Sequence, residues 1–216
     1  MTTITLYGFA VSPHVRSALI AFREKGLTVD WEQVMPDGLK TEEFGRINPF
    51  RKMPALVHGD VKLYETPSLL VYADEIGSGA RLEPTDAVGR AKMWQFIGIA
   101  QNYLYPVGTM QLYFQNVLTG LFGLPKDEAV ATAAVDPTRQ HLDVVEAAIE
   151  GGYVVRGAFT LADIYCGTQV DYIARARDGK ALVAARPKVA AWLETLRARP
   201  SFKETFPEML VGTDQS

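Results

Sequence analysis

A single cysteine, Cys166, excludes an internal disulfide and any cage of several thiolates around a metal. It follows Leu161-Ala162-Asp163-Ile164-Tyr165 and precedes Gly167, which reads as a small buried residue rather than a reactive thiol. The histidines His14, His58 and His141 show no metal-ligand spacing. A net charge of −3 lacks the basic excess that nucleic acid demands. The arginines and lysines between 175 and 199 are interrupted by Asp178 and Glu194 and read as a solvated helix face. No uninterrupted apolar run reaches membrane-spanning length, and no charged-then-apolar leader opens the chain. A cytoplasmic protein with neither membrane nor nucleic-acid partner is expected. What remains is ordinary globular composition, 48% hydrophobic and 22% charged, over 216 residues. That length suits one large or two small domains.

The richest stretch runs from Asn48 to Asp74, where three prolines punctuate two short apolar runs and a helix-like segment. Pro54 cannot donate a ladder hydrogen bond, so it opens a strand or lies at an edge. Ala55-Leu56-Val57 and Val61-Lys62-Leu63-Tyr64 flank His58-Gly59-Asp60, the pattern of a hairpin with a glycine-containing loop. Thr66 then fits a helix N-cap, with Pro67 at the first helical position. A helix N-terminus carrying a hydroxyl and unpaired N–H groups is suited to holding a carboxylate.

Upstream, Ile4–Tyr7 predicts a strand and 8–13 a loop. Val15, Ala18, Leu19 and Phe22 recur at helical spacing up to Gly26, a C-cap glycine. Residues 28–34 alternate as a second strand, and 40–46 form a short polar turn or helix. The order is βαβ-ββα, a small mixed sheet. Glycine and proline make 77–84 a linker. The expected division is an α/β domain over 1–78, a linker at 79–85, an all-helical domain over 86–210 and a loose tail at 211–216. Within the helical part, 88–104 carries an apolar stripe that Pro106 and Gly108 should kink or break. Helical segments follow at 112–122, 137–150 and 187–198. Thr160 and Asp163 have the spacing of an acidic capping box opening another helix.

In this layout the chain resembles a cytosolic glutathione S-transferase over nearly its whole length. The carrying residues are Tyr7-Gly8 with Ser12-Pro13, Asn48-Pro49, Met53-Pro54-Ala55-Leu56, Glu65-Thr66, and Phe159-Thr160-Leu161-Ala162-Asp163. The first loop looks most like the serine-type classes, phi and theta-like. The resemblance implies a thioredoxin-like domain that binds glutathione as co-substrate, followed by an all-helical domain completing a hydrophobic substrate site.

On this resemblance, Ser12 is the catalytic residue. A thiol with a reference pKa of about 8.5 is only slightly ionised at neutral pH. Ser12, at the start of a helix whose N–H groups and dipole favour negative charge, donates a hydrogen bond to the sulfur. Tyr7 is the rival donor, with core packing as its plainer role. Pro54 resembles the family's cis-proline, which turns the Met53 backbone toward the peptide of glutathione. Glu65 takes the γ-glutamyl ammonium and Thr66 its carboxylate, while Lys40 and Lys52 are candidates for the glycyl carboxylate. Arg51 stands where a glycine is frequent. Phe9, Ala10, Val11 and His14, with Met110, Tyr113 and Phe114, are the candidate lining for a small hydrophobic electrophile. Pro54, Thr160 and Asp163 have structural roles. The expected protein is a homodimeric detoxification transferase without metal. The alternatives are another glutathione-dependent enzyme (isomerase, dehalogenase, peroxidase or ether-cleaving) and a non-catalytic glutathione-binding or scaffold protein.

Overall fold

The computed structural model describes residues 2–213, so three positions of the expected loose tail, 214–216, lie outside the described residues. The described residues form two compact units, one from residues 2–82 with 201–209, the other from 83–200 with 210–213.

The first unit is built on a four-stranded mixed sheet in the order β2-β1-β3-β4, with β1 Ile4–Tyr7, β2 Asp30–Glu32, β3 Ala55–His58 and β4 Val61–Tyr64. Helix α1, Pro13–Glu24, is the crossover that makes β1 and β2 parallel. β3 runs antiparallel to both β1 and β4, and the β3–β4 hairpin turns through Gly59 at φ +60°. Leu6 and Leu56 lie opposite each other in register and are fully buried. Helix α2 is a short turn, Glu42–Gly45, and α3 spans Thr66–Ile76. Ala18 and Phe22 of α1, with Leu69, Leu70 and Ala73 of α3, complete the apolar core.

The predicted β2 shrinks to three residues. Its alternation places half the side chains toward water on an edge strand, and only Trp31 is anchored, its Nε1 donating to the Gly8 carbonyl at 3.1 Å. Around 77–82, sequence shows a linker where the structure shows a tethered segment. The Lys25 ammonium and the Asp74 carboxylate, both almost wholly buried, pair at 2.9 Å. Lys25 also donates to the Ala80 carbonyl, and Asp74 accepts the Leu82 N–H. Each buried charge therefore has both an ion partner and a backbone partner, the condition under which burial is tolerated. The segment Ser201–Met209 belongs to this unit as well: Arg16, 2% exposed, donates to the Phe202 carbonyl and lies over the Phe202 and Phe206 rings.

In the second unit α4, Ala87–Ile99, continues directly into a wide helix, Ala100–Leu118, with i→i−5 hydrogen bonding, such as Thr119 N–H to the Phe114 carbonyl. The break expected at Pro106 and Gly108 does not occur. The buried positions Ala100, Leu104, Gly108, Leu112 and Val117 recur every four to five residues, the period of a helix wider than α. Gly108 is needed for close packing, since a Cβ there would overlap the Ile173 side chain. A last turn, α5 Thr119–Leu121, precedes α6 Glu128–Ala133 and α7 Val135–Ala148. Helix α8, Leu161–Ile173, is buried along its entire length, and α9 Arg177–Ala184 and α10 Pro187–Ala198 follow. A short α11, Pro200–Glu204, follows in the chain and from Ser201 on belongs to the first unit.

The solvated face expected across 175–199 is only partly so. Arg186 is buried and donates to Asp143 and to the Leu182 and Arg139 carbonyls, while Arg175 and Arg197 pair with the buried Asp171. Cys166 is fully buried, its Sγ 3.1 Å from the Phe96 carbonyl oxygen; burial, then the nearby Asp163 charge, push the thiol well up. Among the described residues no helix is long and apolar enough to cross a membrane.

Candidate functional site

Register brings the predicted glutathione residues together. Tyr7 pairs with Ala55, and Ala55 with Tyr64. The loop after β1, the Met53-Pro54 pair before β3 and the Glu65-Thr66 pair after β4 therefore lie at one end of the sheet. The N-termini of α1 and α3 open at that same end.

Ser12 is the N-cap of α1, extended at φ −73° and ψ 122°, and its Oγ accepts the Val15 N–H at 3.4 Å. A hydroxyl has one proton and two lone pairs, so this cap leaves the O–H available to donate outward. Among the described residues no acceptor takes that proton. Pro13 at the first helical position removes one N–H from the terminus at no cost in hydrogen bonding. The preceding loop is pinned: Ser12 N–H donates to the Phe9 carbonyl, and Phe9 N–H reaches the Met53 thioether at 3.2 Å.

Gly8 is required by packing. A Cβ at this position would overlap Val15 Cγ2, itself fully buried, and come within 3.4 Å of Met53 Cβ. Gly8→Ala is expected to lower stability by about 1–3 kcal/mol, the usual cost of overpacking, and to raise KM for glutathione as the loop moves. An unchanged urea midpoint would show that Val15 yields without penalty.

The Met53–Pro54 peptide is cis. Before it, Asn48 is buried and braces the loop, its amide donating to the Lys52 carbonyl at 2.6 Å and its side-chain oxygen accepting Phe50 N–H. The sequence marks Asn48-Pro49 only as a pair shared with the family, because the burial and the two hydrogen bonds that make Asn48 a brace exist only in the folded loop. Arg51 sits at φ +53°, where glycine is the ordinary occupant, and its guanidinium donates to the Lys40 carbonyl at 2.7 Å.

Among the described residues, Glu65, at φ +70°, is the other non-glycine with positive φ. Strain of this kind persists where the surroundings over-determine it, often at a binding site. The predicted N-cap moves by one residue. Glu65, not Thr66, is the cap, because the Glu65 carbonyl accepts both Ser68 and Leu69 N–H. Thr66 is the first helical residue and is buried, whereas Glu65 is exposed.

Lys52 is exposed beside His14. Burial, then the Lys52 charge, push the His14 imidazole down to about 4, which keeps it neutral at physiological pH. Lys40 is exposed, and its ammonium is engaged by Asp37 at 2.8 Å. Tyr7 is half-buried on β1, its phenol pushed up by burial and by Glu32, Asp30 and Glu43. Of the candidate lining, Phe9 and Val11 are buried and Ala10 is half-buried. In the helical unit Met110 is exposed and Phe114 half-buried. Tyr113 is fully buried, its ring 5.3 Å from that of Tyr172 in an edge-to-face pair. With no accessible surface, Tyr113 is placed as core rather than as the lining of an open pocket.

A thioredoxin-like sheet with two helix N-termini at one end, followed in the chain by a helical unit, is an architecture that can hold a small anionic ligand. Residues 6–81 match the model of the glutathione S-transferase N-terminal domain, and residues 96–200 match that of the C-terminal domain. Glutathione S-transferase 3 of Zea mays is 34% identical over 212 residues, covering 95% of this chain and 94% of that protein. Glutathione S-transferase F7 of Arabidopsis thaliana is 32% identical, covering 94% and 99%. A solved glutathione S-transferase III in apo form superposes with a TM-score of 0.83 at 31% identity, covering 99% of this chain and 98% of that one. The chain belongs to the glutathione S-transferase family, as a transferase with glutathione as co-substrate.

Proposed function

We propose that the enzyme joins the glutathione thiolate to hydrophobic electrophiles by substitution or addition, with Ser12 donating the hydrogen bond that holds the sulfur anionic. The observation that carries this reading is the Ser12 hydroxyl at the N-cap of α1, accepting from Val15 while keeping its own proton for a ligand. Tyr7 is the weaker donor: burial first, then the Glu32, Asp30 and Glu43 charges, push its phenol up, and a less acidic O–H donates a weaker hydrogen bond.

The tripeptide lies along the sheet edge. The Met53 backbone faces its central peptide, Glu65 takes the ammonium, and the Thr66 hydroxyl and N–H take the γ-glutamyl carboxylate. Lys52 suits the glycyl carboxylate better than Lys40, whose ammonium is already bound to Asp37. Phe9, Ala10, Val11 and neutral His14 give the electrophile an apolar surface on the first unit, with Met110 and Phe114 as its candidates on the helical unit. Residues 1–78 are assigned to the glutathione domain and 86–210 to the electrophile domain, except for Ser201–Met209, which belongs to the first unit. A cytoplasmic, homodimeric detoxification enzyme is the setting we infer.

Titration calorimetry with glutathione, paired with turnover of a chloronitroarene, a hydroperoxide and a β-aryl ether, tests the proposal. Saturable glutathione binding with conjugation of the chloronitroarene is expected. Preferred turnover of another substrate would replace conjugation with that chemistry. Binding without turnover of any would leave a non-catalytic protein, and no binding would overturn the site.

A further inference from the structure

Arg51 is strained and tethered at once. Its φ of +53° is a conformation that residues with a Cβ rarely adopt, and such strain persists where the surroundings over-determine it. Those surroundings are the α2 segment. The guanidinium Nη1 donates to the Lys40 carbonyl, eleven positions back, at 2.7 Å. The Nε lies close over α2, where a Cβ on Gly45 would stand only 3.3 Å from it. One side chain thus closes residues 40–51 into a compact loop. Helix α2 is itself fixed to the sheet: Phe44 is buried, and Lys62 of β4 donates to the Arg46 carbonyl at 3.0 Å. Inside the loop, the Asn48 amide holds the Lys52 carbonyl, and the Arg51 N–H donates to the Asn48 carbonyl at 2.9 Å. A glycine at 51 would meet the dihedral without strain but has no arm to reach Lys40.

We propose that Arg51 is a positioning residue for glutathione: its guanidinium latches the 48–53 loop to α2 and so presets the Lys52 side chain and the Met53 backbone for the tripeptide. These are the two residues that follow Arg51 in the chain, so any relaxation of its dihedrals passes to them directly. Arginine suits the task, because its charge is permanent and its planar fork makes charge-assisted hydrogen bonds of fixed direction. A loop ordered before the ligand arrives removes the cost of ordering it on binding. That gain is common to the ground state and the transition state, so it belongs in KM rather than in kcat.

The inference rests on the proposed glutathione site, and the test separates the two. Conjugation kinetics with glutathione and with its glycyl ethyl ester, hydrogen exchange over residues 38–53 and Tm are measured in wild type, Arg51→Gly, Arg51→Ala and Arg51→Lys. Arg51→Gly has neither strain nor latch. It should keep Tm near wild type, exchange faster across the loop and raise KM for glutathione about five- to tenfold at unchanged kcat. KM for the ester should rise as well, because the Met53 backbone serves both peptides. Arg51→Ala retains the strain and should show the same KM with a lower Tm. Arg51→Lys, whose ammonium can still donate to the Lys40 carbonyl, should recover part of the loss. Wild-type KM and exchange in Arg51→Gly would overturn the role of Arg51 and leave the site intact. A KM rise with glutathione but not with the ester would make Arg51 a direct partner of the glycyl carboxylate, which also overturns the latch. Failure of the wild type to saturate with glutathione would remove the site and the latch together.

Discussion

Ser12→Ala lowers conjugation turnover about ten- to a hundredfold and raises the bound thiol pKa by about one to two units. The magnitude follows from one hydrogen bond to a charged acceptor, about 1.5–3 kcal/mol, at about 1.36 kcal/mol per pKa unit. The same substitution also removes the cap accepted from Val15, worth about 1 kcal/mol of stability. Loss of activity alone would therefore not distinguish a donor from a cap. Ser12→Asp makes the distinction. Aspartate caps as well as serine and suits the positive end of the helix dipole, but an ionised carboxylate has no proton to give and repels a thiolate. Turnover should fall at least as far as in Ser12→Ala while Tm stays near wild type. An aspartate variant with wild-type turnover would reduce Ser12 to a cap.

Local features were legible and long-range ones were not. The hairpin at Gly59, the helix from Pro187 to Ala198 and the Thr160–Asp163 pairing are set by residues within a few positions of one another. Sequence could therefore display them directly. The Thr66 cap was missed by one residue because Glu65 adopts φ +70°, a conformation no propensity assigns to glutamate. Pro106 with Gly108 was read as a kink or break because proline has no N–H to donate to the preceding turn, whereas one continuous helix runs from Ala100 to Leu118 with Pro106 inside it. Lys25 with Asp74, Arg186 with Asp143, and Arg16 with Phe202 join residues 49, 43 and 186 positions apart. A charged residue in a helix looks solvated until its distant partner is known. At the site, residue types pointed to the chemistry, but the loop brace at Asn48 and the close packing at Gly8 depend on the fold already being formed.

The largest effect on stability is expected at Asp163. Its carboxylate is fully buried and accepts four donors: the Val154 and Trp192 N–H groups on Oδ1, each at 3.0 Å, and the Thr160 N–H and hydroxyl on Oδ2, at 2.8 and 3.0 Å. One side chain thus ties the 150–158 loop, the start of α8 and helix α10. Asp163→Ala strands all four donors and should lower stability by about 3–5 kcal/mol, the range for breaking a buried charged network, with a fall in Tm of about 10 °C or more. Asp163→Asn keeps the shape but turns an amide donor against two of these donors, so a smaller loss of about 2 kcal/mol is expected. Burial pushes the carboxyl up to about 6 despite the four hydrogen bonds pulling it down. The folded chain then holds the proton more tightly than the unfolded chain, so this contribution is full below about pH 4 and is lost as pH rises through about 6. His14 acts with the opposite sign: with its imidazole held down to about 4, its contribution is full above about pH 6.5 and is lost as pH falls through about 4. The two trends oppose each other in the wild-type curve, but the gap between wild type and Asp163→Asn isolates the first. Urea midpoints taken from pH 4 to 7 should show that gap narrowing as pH rises. A gap that widens instead would mean the donors outweigh burial and hold the carboxylate ionised throughout.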